Sequence, residues 1–186
     1  MLFVVRCLLF LLFTNVAFAV DDPIQVEIIV FENTDKKNVI SETWGNYSGE
    51  LEHKHALDLA TTDLVLPEEN LQLIEEVLKI KKSRNHRLLL HTGWKHPVSG
   101  EQRQGPVYVT SNNVESVWDI EGLVGIKSQQ SLYQVQIDFI MKTPLTADKF
   151  QDFRLVRTVK VHQKELYYFD HPMFGILLSV MPSDSV

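Results

Sequence analysis

The sequence predicts an α+β protein: mostly antiparallel β-sheet, with a meander in its C-terminal half and one main amphipathic helix packed on it. Three observations predict this. Residues 24–32 alternate in a way that loads both faces with apolar side chains. Residues from Pro67 to Arg84 carry the clear helical-period stripe. From residue 132 onward, strand-like alternation repeats between short turn signals.

Ile24, Val26, Ile28 and Val30 form one face of a first strand, and Ile29 and Phe31 load the other. A strand that is apolar on both faces belongs in the middle of a sheet. Residues 33–63 are mixed in character, with Gly45 and Gly49 interrupting any period, and read as a long, partly irregular excursion. The helix is expected to begin near Pro67, because proline is tolerated in a first turn and Glu68 and Glu69 suit the positive end of the helix dipole. Leu71, Ile74, Val77 and Leu78 then supply a stripe, and Lys79, Lys81, Lys82 and Arg84 gather at the negative end. Leu88, Leu89 and Leu90 open the next strand. Trp118, Ile120, Val124 and Ile126 share a face. After a polar turn at 128–131, Tyr133, Val135, Ile137, Phe139 and Met141 alternate with polar residues until Pro144. Phe153, Leu155, Val159 and Val161 make the following row. Two strands near 165–169 and 174–181 close the meander around Asp170-His171-Pro172. Pro172 fixes its own φ and biases His171 toward an extended conformation, which makes that step a corner.

Residues 1–19 read as a secretory signal peptide and 20–186 as one domain. Arg6 supplies a positive charge, Leu8 to Phe13 is wholly apolar, and Ala17-Phe18-Ala19 offers small residues for cleavage. No second stretch is long and apolar enough to span a bilayer, so no membrane span is expected after cleavage. Cys7 lies within the leader and is the one cysteine. The processed chain therefore has no disulfide, thiol nucleophile or cysteine–metal site. The formal net charge is −6, and loss of Arg6 makes it one unit more negative. Such an average field repels nucleic acid, which is excluded as a partner.

The block ELYYFDHP (165–172) carries two tyrosines, a phenylalanine, a carboxylate and an imidazole around one corner. With VEIIVFE at 26–32 and LLLHTGW at 88–94 followed by Pro97, it resembles the CsiV family. These are cell-shape-integrity proteins of Gram-negative bacteria that bind peptidoglycan in the periplasm. The resemblance implies non-catalytic periplasmic peptidoglycan binding in support of wall synthesis and cell shape. It further implies a route through an outer-membrane lipoprotein activator and a bifunctional, class A penicillin-binding synthase. One departure is that the family's doubled arginine ahead of this block is replaced by the separated Arg157 and Lys160.

The residues nominate candidate peptidoglycan contacts, each beside an ordinary explanation. Arg84 and Arg87 belong to a basic run that also suits a helix C-terminus. His91 and Trp94 stand at a strand exit, where an indole face can stack on the apolar face of a sugar or simply fill the core. Arg157 shares a row with Phe153, Leu155, Val159 and Val161. There it either holds a carboxylate, such as that of a wall peptide, or reaches water from a sheet edge. Tyr168 and His171 lie at the aromatic corner, which contacts a ligand or partner or organises the fold. No metal or other cofactor is expected: His53-Lys54-His55 lacks the upstream histidine of the zinc peptidoglycan endopeptidases, and His162-Gln163-Lys164-Glu165 is not HExxH. With no GxSxG, SxxK or phosphate-binding glycine loop, a catalytic role is not expected either. Two alternatives stay open on the residues alone. One is a protein–protein adaptor without direct wall contact, and the other a wall hydrolase using Glu165 and Asp170.

Overall fold

A computed structural model describes residues 24–35, 50–96, 105–111, 119–129, 132–146 and 149–183. The expected leader, the glycines at 45, 49 and 100, Trp118 and Pro97 lie outside these residues. In chain order the strands are β1 (Ile24–Asn33), β2 (Leu57–Asp58), β3 (His86–His96), β4 (Val107–Thr110), β5 (Asp119–Gln129), β6 (Leu132–Thr146), β7 (Lys149–Val161), β8 (Leu166–His171) and β9 (Phe174–Pro182). Among the described residues one α-helix, α1 (Ile74–Lys82), precedes β3.

The strands form two sheets, ordered β3-β1-β9-β8 and β2-β4-β5-β6-β7. All pairings are antiparallel except the short parallel contact of β2 with β4. The α+β class and the C-terminal meander hold, but the meander is split between two layers. β5, β6 and β7 run consecutively in one sheet, while β8 and β9 cross to the other.

The core lies between the sheets. Ile24, Val26, Ile28 and Val30 of β1 meet Ile137, Phe139 and Leu155 there, together with Phe174, Ile176, Leu178 and Val180 of β9. β1 sits between β3 and β9, as its two apolar faces demand. Its other face packs Ile29 and Phe31 against Val77 and Ile80 of α1. The order of layers is thus helix, four-stranded sheet, five-stranded sheet.

Two expectations about boundaries are corrected. Pro67 precedes a 3-10 turn at Glu68–Asn70, Leu71 is extended, and the α-helix starts only at Ile74. Val77 and Ile80 are the helix's buried residues, whereas Ile74 and Leu78 face solvent. Pro144 does not end β6, which continues to Thr146 across a register shift.

Candidate functional site

The placement of α1 begins with a residue outside it. Its N-cap residue, Leu73, makes no side-chain cap. Glu27 of β1 supplies that function: its carboxylate accepts the N–H of Gln72 at 2.7 Å and of Leu73 at 2.9 Å. His91 Nε2 on β3 lies 2.8 Å from the same carboxylate. Burial pushes this carboxyl up, but the hydrogen bonds from His91, Gln72 and Leu73 outweigh it and hold Glu27 below its ordinary value. At the other end of the helix, Thr34 donates its N–H to the Asn85 carbonyl and its hydroxyl to the Arg84 carbonyl. The helix therefore runs along β1 from Glu27 toward Thr34, delivering its basic last turn to the end of the four-stranded sheet.

The β8–β9 corner arrives at the same end. Asn33 Nδ2 donates to the carbonyls of His171 and Pro172, and the Asn33 N–H donates to Met173. One asparagine thus joins β1 to the aromatic corner, beside the turn that carries Arg84. Across the outer face here runs a row of rings. His86 of β3 meets Phe31 of β1 edge-on, with centroids 5.0 Å apart. Phe31 lies parallel to Tyr168 of β8 at 6.3 Å. Gly175 of β9 lies between these two strands and forms the floor, since a Cβ there would come within 2.4 Å of Phe31 and 2.9 Å of Tyr168.

Tyr168 is 55% exposed, and its hydroxyl donates to Asp170 at 2.7 Å. Burial and the neighbouring carboxylate push its phenol up to about 12, so it stays a donor at physiological pH. Arg87 pairs with buried Glu32 at 2.7 Å while keeping part of its side chain in solvent. Lys81, Lys82, Arg84 and His86 are exposed. The arrangement offers an exposed ring on β8 and, across β9 and β1 at the same end of the sheet, cations on β3 and on the turn before it. It is suited to stacking on the apolar face of a sugar and to pairing with carboxylates.

The structure therefore brings Arg84, Arg87 and Tyr168 to one end of the molecule and separates the other nominees. Trp94 is fully buried among the core side chains between the sheets. Its indole N–H donates to His96 Nδ1 at 3.4 Å, and burial holds His96 near a pKa of about 4. A wholly buried indole has no face to present, so the sugar-platform expectation for Trp94 is corrected to a core role. His171, 5% exposed, is also structural in its contacts. It accepts the Met173 N–H at 3.1 Å and stacks on Phe174, with Phe153 nearby. Burial lowers its pKa, as does the charge of Arg157, against an opposing effect of Asp170. His91 is occupied with Glu27. Arg157 lies on β7, an outermost strand, exposed despite its apolar row, and donates to the Val156 carbonyl at 2.9 Å.

Sequence reasoning missed Glu27, Phe31, His86 and Asn33 as organisers of this end. Glu27 had a legible signal: it is an acid inside a strand otherwise apolar on both faces, which demands buried partners. A separate cleft of about 130 Å³ lies between β3 and β4, lined by Leu59, Leu90, Thr92, Tyr108 and Val109 among others. It is well below the volume of ordinary ligand pockets.

Compared with known families, residues 2–183 match the model described as "Peptidoglycan-binding protein, CsiV". The chain belongs to the CsiV family. The match spans nearly the whole chain, including all three blocks that carry the resemblance. No curated protein and no solved structure matches it. The CsiV description is that of a binding protein rather than an enzyme, and its ligand places the family in the cell envelope. Among the described residues of this CsiV chain, no helix is long and apolar enough to cross a membrane.

Proposed function

We propose that this protein binds peptidoglycan without catalysis in the periplasm, through the end of the four-stranded sheet that carries Tyr168, His86, Arg84 and Arg87. The observation that carries the reading is the CsiV match over residues 2–183. The aromatic row beside a basic turn supports the choice of surface, because glycan strands present apolar sugar faces and stem peptides present carboxylates. On this reading residues 1–19 are a cleaved leader and 20–186 the binding domain. The protein assists wall synthesis and cell shape through an outer-membrane lipoprotein activator and a class A penicillin-binding protein. That last part rests on the family resemblance alone.

The test is sedimentation of the processed protein with purified, protein-free sacculi across a salt series. The expected result is retention without soluble fragments, weakened by salt and by the pair Tyr168→Ala and Arg84→Ala. Absence of retention would overturn direct wall binding in favour of an adaptor role. Release of fragments would overturn the non-catalytic reading.

A further inference from the structure

We propose that the free edge of β7 is a docking site for an acidic, extended peptide segment, which adds to the five-stranded sheet as a further strand. Among the described residues, β7 has β6 on one side and no strand on the other. It is 13 residues long, and Val156, Arg157 and Thr158 at its centre are all exposed. Consecutive residues point to opposite faces, so both faces and the edge are open there.

Ladder alternation fixes which peptide groups face outward. The Ile120 carbonyl is taken by the Ser111 N–H on the β4 side. The pair Ile120–Met141 is then a non-hydrogen-bonded one, which turns the peptide groups of Met141, Phe139 and Ile137 toward β7. Their partners Phe153, Leu155 and Arg157 face back to β6. Those of Arg154, Val156, Thr158 and Lys160 therefore point away from the sheet. The hydrogen bond from Arg157 to the Val156 carbonyl fits this, because the guanidinium folds over an outward-facing acceptor.

A row of outward N–H and C=O groups at strand spacing matches another polypeptide backbone rather than a sugar or a phosphate. Charge selects which peptide. Arg157 and Lys160 have no acidic partner among the described residues, and the nearby Glu165 already accepts the Tyr167 hydroxyl. A second copy would set the bases of one β7 against those of the other, which is unfavourable. An acidic strand supplies what the edge lacks. Its N–H takes over the Val156 carbonyl, which releases Arg157 to pair with a carboxylate on one face while Lys160 pairs on the other. Acids three positions apart in the added strand meet these two bases, because that spacing places them on opposite faces.

The probe is a fluorescein-labelled, end-blocked peptide of about eight residues, threonine-rich with valine, carrying two glutamates three positions apart. Its counterpart carries lysines instead. Fluorescence anisotropy with the processed protein is expected to show binding of the glutamate peptide and none of the lysine peptide. The double variant Arg157→Glu, Lys160→Glu should weaken binding at least about tenfold, as should Val156→Pro, which removes an outward N–H without touching the β6 ladder. Should Val156→Pro fail to fold, glutamate peptides N-methylated on alternate amides replace it: one methylation register abolishes binding and the other leaves it. Equal binding of the two peptides, no binding by the unmodified protein, or full binding by the charge-reversed variant would each overturn the proposal. So would a stable dimer lost on Val156→Pro, which would give the edge to a second copy.

Discussion

Glu27 of β1 and His91 of β3 meet at 2.8 Å on the outer face of the four-stranded sheet, and the same carboxylate caps the start of α1. One 4%-exposed acid therefore fixes where the helix begins and how it lies along β1. Glu27→Ala leaves the N–H groups of Gln72 and Leu73, just ahead of the helix, and an imidazole without their acceptor. It should cost about 2–4 kcal/mol. Glu76→Ala removes an exposed pair with Lys79 and should cost less than about 1 kcal/mol. Urea unfolding of the two variants checks the contrast.

Stability should fall as the solution is acidified. His96 drops from 6.5 to about 4 on burial, so the unfolded chain takes up a proton that the folded protein refuses between those values. Stability is unaffected above pH 6.5 and declines as pH falls toward 4, by up to roughly 3 kcal/mol. Glu27, held below 4.5, acts in the same direction: its contribution is complete above 4.5 and is lost below it. His96→Gln keeps an acceptor for Trp94 but cannot titrate. Unfolding measured from pH 7 to pH 4 should be flatter in that variant.

Gly175 supports the aromatic row by lacking a side chain. Gly175→Ala forces Phe31 and Tyr168 aside, at a cost of about 1–3 kcal/mol. On the proposed function, sacculus retention should fall in the fraction that remains folded. Thermal unfolding and sedimentation, run side by side, separate the two effects.

Trp94→Ala and Tyr168→Ala should behave oppositely. The first opens a cavity in the core and should cost about 3–5 kcal/mol. The second removes a ring that is 55% exposed, with a stability loss of about 1 kcal/mol. Its effect should appear in wall retention instead. Measuring melting and retention for both variants distinguishes a core aromatic from a contact aromatic.

Much of the fold was legible where one strand's own pattern decides its place. VEIIVFE announced a central strand because both its faces are apolar, and the alternation of Tyr133 through Met141 announced β6. The helix was legible in kind but not in phase. The expected stripe of Leu71, Ile74, Val77 and Leu78 has Val77 right, but the buried face turns toward Leu73 and Ile80 and leaves Ile74 and Leu78 in solvent. The segment just ahead of the helix is held by Glu27, more than forty residues earlier, a tie that helical periodicity does not reveal. The division into two sheets was hidden because the alternation of β7 and β8 does not mark the point where the chain crosses from one sheet to the other.

At the site, the basic turn and the aromatic corner were each visible, but their meeting was not. It is made by Asn33 and by a glycine floor, neither of which carries a chemical signature. Trp94 was misjudged because a strand-exit tryptophan looks the same in sequence whether its ring faces inward or outward.

β1 lies between β3 and β9, and most of the chain separates β1 from β9. As the polypeptide emerges residue by residue, its first strand can acquire one neighbour early but must wait for the last strand to acquire the other. Until then a long apolar edge stays open, and closing it carries the entropy of ordering the intervening segment. Such a topology makes loss of β9 far more damaging than loss of an ordinary terminal strand, because the strand left uncovered is the centre of the sheet.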